Sequence, residues 1–247
     1  MDEAKDLSVA QLRFVAALGR GRPAALFFAG DLGQRIFQLP FSWRSLGVDI
    51  RGRSGTLRIN YRTSHQIRAQ ADRLLGAQVS DVDGNTEERS GTISVFPVVR
   101  VLDDAEEESA VVGRWLAERA AEGVVPGEMS VFVRSEAELP RARAAVEAAG
   151  LPAVLLDEAV KTARDRVSVG TMHLSKGLEF RAVAVMACDD EVVPLQARIQ
   201  AVGDASDLEE VYETERHLLY VACTRARDHL LVTGVRPASE FLDDLRG

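Results

Sequence analysis

Val167-Ser168-Val169-Gly170-Thr171 and Ala182-Val183-Ala184-Val185-Met186-Ala187 are two short apolar runs separated by the polar stretch from Met172 to Arg181. Runs of five or six residues rich in valine and alanine, bounded by polar residues, read as buried strands. Strands that are apolar on both faces belong to parallel sheets covered by helices on each side. The same alternation extends outward in both directions. Upstream, Met129–Val133 and Pro152–Leu156 read as strands and Glu136–Ala149 as a helix closing at Gly150, while Ala105–Ala121 is a helix packed through Val111, Val112, Trp115 and Leu116. Thr92–Val99 is a further strand, preceded by a polar linker from Ser80 to Gly91. Downstream, Asp207–Arg227 is a helix with Leu208, Val211, Tyr212, Leu219 and Ala222 inward, and His229–Thr233 is a last strand. Towards the N-terminus the spacing predicts a helix over Ser8–Gly19, a buried strand over Ala24–Ala29, a strand over Leu57–Asn60 and a helix over Ser64–Leu75. The fold class is α/β, a parallel sheet flanked by helices.

The chain has 247 residues, 46% apolar and 28% charged. At about 150 residues per domain it forms one large or two small globular units, and its composition sets aside disorder, collagen and coiled coil. Apolar runs such as Val183–Cys188 fall far short of the roughly 20 residues of a spanning helix, so no membrane partner is expected. The start, Met1-Asp2-Glu3-Ala4-Lys5-Asp6, is acidic and unlike a secretory signal. Cys188 and Cys223 are far apart without metal-ligand spacing, which points to a reducing, cytoplasmic setting. The net charge of −8 is uneven: residues 1–75 hold 12 Lys and Arg against 6 Asp and Glu, the remainder 18 against 32. The basic third, with Arg44, Arg51, Arg53, Arg58, Arg62, Arg68 and Arg73, reads either as a phosphate-facing surface or as solvated charge.

Five segments carry residue types suited to chemistry, each with a plainer reading beside it. Asp2-Glu3 places adjacent carboxylates where a strand would end and a helix begin, suited to holding Mg²⁺ and accepting a proton from water; acidic residues also simply favour helix starts. Gly30-Asp31-Leu32-Gly33-Gln34 delivers a carboxylate and a phosphate-sensing amide, or is a turn built on its glycines. Asn60-Tyr61-Arg62-Thr63 sets a stacking ring beside a guanidinium, or buries Tyr61 and caps a helix with Thr63. The connector Thr171–Phe180 is dense in polar groups, and loops held by a rigid sheet are where binding groups sit, although a lone histidine there is often just solvated. In Glu215–Arg227, Arg225 follows Val221 by four residues and Leu218 by seven, so it shares an edge of the apolar helix face, where an arginine calls for an anionic partner or an interface.

Taken in this order over positions 2 to 227, the five segments resemble the UvrD/Rep-type superfamily 1 DNA helicases. The resemblance implies RecA-like architecture, ATP with Mg²⁺ as cofactors, and single-stranded DNA as partner. It implies that Asp2 and Glu3 are the Walker B pair, with Asp2 on the metal, and that Gln34, accompanied by Asp31, couples the terminal phosphate to DNA. It further implies that Tyr61 stacks on adenine, that Arg62 and Arg225 are arginine fingers, and that Glu179, beside Gly177, reaches the nucleotide ribose. Thr171 and His173 are implied to touch the DNA strand. Such enzymes hold ATP between two RecA-like domains, whose closure moves the strand.

The departures shape the expectation. No Gly-x-x-x-x-Gly-Lys-Ser/Thr loop occurs in the sequence, and Lys5 stands where the family usually has glutamine. Leu39 aligns with the family's DNA-stacking tryptophan, leaving Phe37, Phe41 or Trp43 as substitutes. The span from Arg62 to Thr171 is short for the large accessory insertion, with Asp157–Arg166 as the closing loop in its place. Residues 1–56 are therefore expected to be the tail of a first RecA-like domain and 57–247 a whole second one, a C-terminal piece of a helicase whose N-terminal ATPase half is the missing partner. The alternative is a non-catalytic RecA-like module that binds DNA or protein, and a third reading is a gene remnant.

Overall fold

The computed structural model describes residues 7–19, 22, 25–29, 59–60, 67, 70–75, 90–91, 97–157, 162–203 and 205–246. Its centre is a six-stranded, wholly parallel sheet in the order β3-β8-β7-β4-β6-β5, with β3 (Val98–Leu102), β4 (Met129–Val133), β5 (Ala153–Leu155), β6 (Val167–Thr171), β7 (Phe180–Val185) and β8 (Ala226–Val235). Two two-residue strands, β1 (Ile59–Asn60) and β2 (Ser90–Gly91), pair with each other in parallel.

Period-two alternation assigns each strand's side chains to two cores. On one face Val131, Val133, Ala182, Ala184 and Leu231 meet α2 (Ala105–Ala121) and α3 (Leu139–Ala148) through Val112, Leu116, Ala142 and Val146. On the other, Phe132, Val183, Val185, Leu230 and Val232 meet α5 (Ala205–Cys223) and α6 (Phe241–Arg246), with Ile67, Ala71 and Leu74 in the same core. Every residue of β4 is buried, as expected of a central parallel strand. Helix α2 starts on a full set of end signals: the Asp104 side chain accepts from Glu107 N at 2.8 Å, Glu107 Oε2 accepts from Asp103 N at 2.8 Å, and three glutamates fill the first turn. Gly113 lets α2 approach α3 closely, because a Cβ there would lie 2.9 Å from the Ala145 carbonyl oxygen and from Ala148 Cβ. A short α4 (Gln196–Gln200) lies between β7 and α5.

At the N-terminus α1 (Val9–Gly19) closes a capping box, with Ser8 Oγ accepting from Gln11 N at 3.2 Å and Gln11 Oε1 from Ser8 N at 2.8 Å. The buried strand expected over Ala24–Ala29 does not form: residues 25–29 have no regular structure and Phe27 is 79% exposed. The edge strand runs over Val98–Leu102; of the strand expected over Thr92–Val99, residues 92–96 lie outside the described residues. β7 starts at Phe180 rather than Ala182. The helix expected over Asp207–Arg227 ends at Cys223, and the strand expected over His229–Thr233 begins at Ala226. Both shifts have one cause: Phe180 and Ala226 pair as strand neighbours, and that ladder outweighs continuation of the helix.

Candidate functional site

The register fixes two opposite rims. Val133 of β4 stands beside Thr171 of β6 where both strands end, at the carboxyl rim, whereas Phe180 of β7 stands beside Ala226 of β8 where both begin, at the amino rim. The connector between β6 and β7 therefore crosses the whole sheet, about 16 Å for five residues at about 3.3 Å each. Its Leu174 and Leu178 pack into the core beneath α5, so it runs on the α5 side.

At its first end, Met172–Ser175 form a 3₁₀ turn held by Ser175 Oγ donating to the Met172 carbonyl at 2.7 Å. Thr171 precedes the turn without spending its side chain on a cap. His173 is half-buried, and burial together with the positive charge of Arg134 pushes its pKa below the usual histidine range, so the ring is neutral near pH 7.

Behind the turn, Arg134 leaves the end of β4 and is almost wholly buried. Its Nε and Nη2 donate to Glu215 Oε2 and Oε1 at 2.5 and 2.6 Å, a two-pronged pair from sheet to α5. Glu215 also accepts from Arg198 Nη1 at 2.9 Å and from Leu195 N at 3.3 Å. Burial opposes its charge, yet the Arg134 guanidinium outweighs this and holds the carboxyl below the usual range. A second buried network binds the sheet to the other helical layer. Glu108 Oε1 accepts from Thr233 Oγ1 at 2.6 Å and Ala187 N at 3.0 Å, its Oε2 lies 2.5 Å from Arg141 Nη2, and Arg141 Nη1 also donates to Asp189 at 2.5 Å. Desolvation pushes the Glu108 carboxyl up.

At the connector's far end, Gly177 takes a left-handed backbone (φ 79°), the conformation that favours glycine, and Glu179 is exposed just before β7. Arg225 meets them there. It does not lie on the helix's apolar edge as expected, because α5 ends two residues earlier and Arg225 folds back in the following turn. Its main-chain oxygen accepts from Phe180 N at 3.0 Å. Its side chain donates from Nε to the Val221 carbonyl at 3.0 Å, from Nη1 to the Leu178 carbonyl at 3.3 Å and from Nη2 to Thr224 Oγ1 at 3.2 Å. Beside it, Asp228 takes Arg227 Nε and Nη2 at 2.9 and 3.0 Å and Arg181 Nε at 2.9 Å, and this double pairing depresses its pKa to about 2.

The structure thus gathers Gly177, Glu179 and Arg225 at the amino rim and Thr171 and His173 at the carboxyl rim. Asp2, Glu3, Asp31, Gln34, Phe37, Trp43, Tyr61 and Arg62 lie outside the described residues. Among the described residues there is no group of three or more His, Cys, Asp and Glu placed to hold a metal ion, and no helix long and apolar enough to cross a membrane.

The sequence profile of the UvrD-like helicase C-terminal domain matches residues 151–236, the stretch that contains the connector, α5 and the Arg225 turn. Over these residues the chain is similar to UvrD-like DNA helicases. The chain is 40% identical over 80 residues to the ATP-dependent DNA helicase Rep of Buchnera aphidicola, a match covering 32% of this chain and 11% of Rep. A probable DNA helicase II homolog of Rickettsia conorii is 27% identical over 183 residues, covering 73% of this chain and 26% of that protein. Among solved structures, the C-terminal domain of a possible DNA helicase from Lactobacillus plantarum superposes with a TM-score of 0.51 at 26% identity, covering 75% of this chain and 94% of that one. The UvrD-like matches thus span only a small share of the curated helicases, about a tenth of Rep.

Glu215, Arg134, Glu108, Arg141 and Arg198 are not among the residues that the sequence motifs assign to the site. The signal was present for two of them. Glu215 falls on the inward stripe of α5, four residues before Leu219, and Glu108 falls four before Val112 on that of α2. A carboxylate on an apolar stripe requires a buried cation.

Proposed function

We propose that this chain supplies the second RecA-like half of an ATP-dependent, UvrD-like DNA helicase, with residues 57–247 as that domain and 1–56 as the tail of the first. Arg225 acts as an arginine finger, Gly177 and Glu179 line the nucleotide side, and Thr171 and His173 contact single-stranded DNA. By resemblance, Asp2 and Glu3 hold Mg²⁺ and activate water, Gln34 with Asp31 senses the terminal phosphate, Tyr61 stacks on adenine and Arg62 is the partner finger. Phe37 and Trp43 offer stacking rings to DNA bases. The phosphate-cradling loop belongs to the N-terminal ATPase half, the partner that completes the site.

The observation that carries this reading is the connector Thr171–Phe180, one chain segment whose ends lie at opposite rims, with Arg225 bonded to one end and His173 at the other. Ligands of open parallel sheets usually lie at the carboxyl rim. A domain that completes a neighbour's ATP site from its amino rim leaves its carboxyl rim for a second ligand, and a single strand of DNA fits that role. The donor set at the amino rim suits an anion: Arg225 exchanges the Leu178 and Val221 carbonyls for phosphate oxygens, and charge-assisted bonds are about twice as strong as neutral ones. When ATP is bound it supplies the phosphoryl group whose transfer Arg225 stabilises.

Steady-state ATP turnover with single-stranded DNA tests the assignment. The 247-residue chain alone is expected to give no turnover above background, because the groups that position the phosphates are elsewhere. In the polypeptide that includes the N-terminal half, Arg225→Ala is expected to lower turnover by about 10³-fold or more. Robust turnover by the chain alone, or equal turnover in the Arg225→Ala enzyme, overturns the reading.

A further inference from the structure

On the α5 side of the carboxyl rim one carboxylate, Glu215, is shared by two arginines. Arg134 and Arg198 both bond to Glu215, so the trio carries one surplus positive charge directly beside the Met172–Ser175 turn. The two arginines are not equivalent. Arg134 is buried and held at both prongs, whereas the Arg198 side chain is 38% exposed and bonds Glu215 through Nη1 alone. Glu215 also fixes the start of α4 through Leu195 N, so the element that carries Arg198 is tied to the same carboxylate as the side chain itself. Helix α5 packs against both the Met172–Ser175 turn and α4, which places the Arg198 guanidinium and the turn that carries His173 around one helix.

We infer that Arg198 is a further contact for a backbone phosphate of single-stranded DNA, presented beside Thr171 and His173 by the Glu215 carboxylate. This rests on the DNA-binding reading of the carboxyl rim. A guanidinium has donors to spare after one bond, so Arg198 keeps its bond to Glu215 and offers Nη2 and Nε to a phosphate. Glu215 is the positioning residue; Arg198 touches the strand.

The probe is a labelled oligodeoxythymidine about 16 nucleotides long, the upper range of a single-stranded binding unit, titrated with the full chain by fluorescence anisotropy at several salt concentrations. Arg198→Gln is expected to weaken binding about three- to tenfold, and to reduce the slope of log K against log salt by about 0.7, the value of one released counterion on a single strand. Arg198→Lys keeps a point charge and is expected to retain most of that slope. Both variants are expected to melt near wild type, because Glu215 keeps Arg134 and Leu195 N. Unchanged affinity and slope in Arg198→Gln, with His173→Ala still weakening binding, overturns this inference and leaves the DNA-binding reading intact. Loss of slope in Arg198→Lys equal to that in Arg198→Gln also overturns it. Failure of the wild-type chain to bind at about 50 mM salt overturns both.

Discussion

Replacing Glu215 with alanine strands a guanidinium inside the protein. Glu215 is fully buried and Arg134 is 4% exposed, so water cannot replace the two bonds of 2.5 and 2.6 Å that the arginine loses. Leu195 N loses its acceptor as well, while Arg198, being partly exposed, recovers hydration. Removing one partner of a buried ion pair costs about 3–5 kcal/mol. For a chain of this length each kcal/mol lowers the melting point by about 2–4 °C, so a fall of about 6–20 °C is expected. Glu215→Gln keeps the shape and one acceptor and should fall between the two. The double variant Arg134→Met with Glu215→Leu removes both charges and should recover much of the loss, because apolar replacement of a buried pair is often close to neutral. Urea unfolding followed by far-UV circular dichroism measures all four proteins. A cost for Glu215→Ala below about 1 kcal/mol, or a double variant no more stable than Glu215→Ala, refutes the claim that the pair is desolvated and mutually dependent.

Acid titration gives a second check, with the sign set by the lowered carboxyl pKa values. Glu215 and Asp228 both titrate below their ordinary range, so the stability they confer is present above the unfolded values and is lost as pH falls; for Asp228 the window runs from near 4 down to about 2, and Asp228→Asn should flatten the stability curve there. Gly234→Ala should destabilise strongly, because the new methyl would overlap the Cys188 carbonyl oxygen, a backbone atom that cannot swing aside; a melting point within about 2 °C of wild type contradicts this packing. Cys188 and Cys223 are buried and their thiols are pushed well up, Cys223 to about 12, so a thiol reagent should label neither until the protein unfolds. Labelling at the rate of a free thiol under native conditions counts against that burial.

Much of the fold is legible in the sequence because its strands are apolar on both faces. Met129–Val133 lies between Glu128 and Arg134, and Val167–Thr171 begins after Arg166 and ends on a threonine; the structure places these two strands at those bounds. Helix α2 is equally plain, since Asp104, the first-turn glutamates and the Val112, Trp115 and Leu116 stripe all agree. The boundaries that shift are those set by tertiary pairing. Nothing local announces that Phe180 pairs with Ala226, yet that ladder ends α5 at Cys223 and turns Arg225 out of the helix. The apolar run Ala25–Ala29 shows the converse, a strand-like composition with no neighbouring strand to pair with among the described residues. At the site, Thr171, His173, Gly177, Glu179 and Arg225 stand out as polar or unusual residues at element ends. The Arg134–Glu215–Arg198 cluster is hidden because its members lie far apart in the chain and only the crossing of β4, α4 and α5 unites them.

The left-handed step at Gly177 lies in a strap between Thr171 and Phe180, anchored by a strand at each end and by Leu174 and Leu178 along its course. Because those leucines are packed into the core beneath α5, lifting the strap away from the sheet would bring apolar side chains into water, so the two rims it joins are held by the same packing that holds the helix.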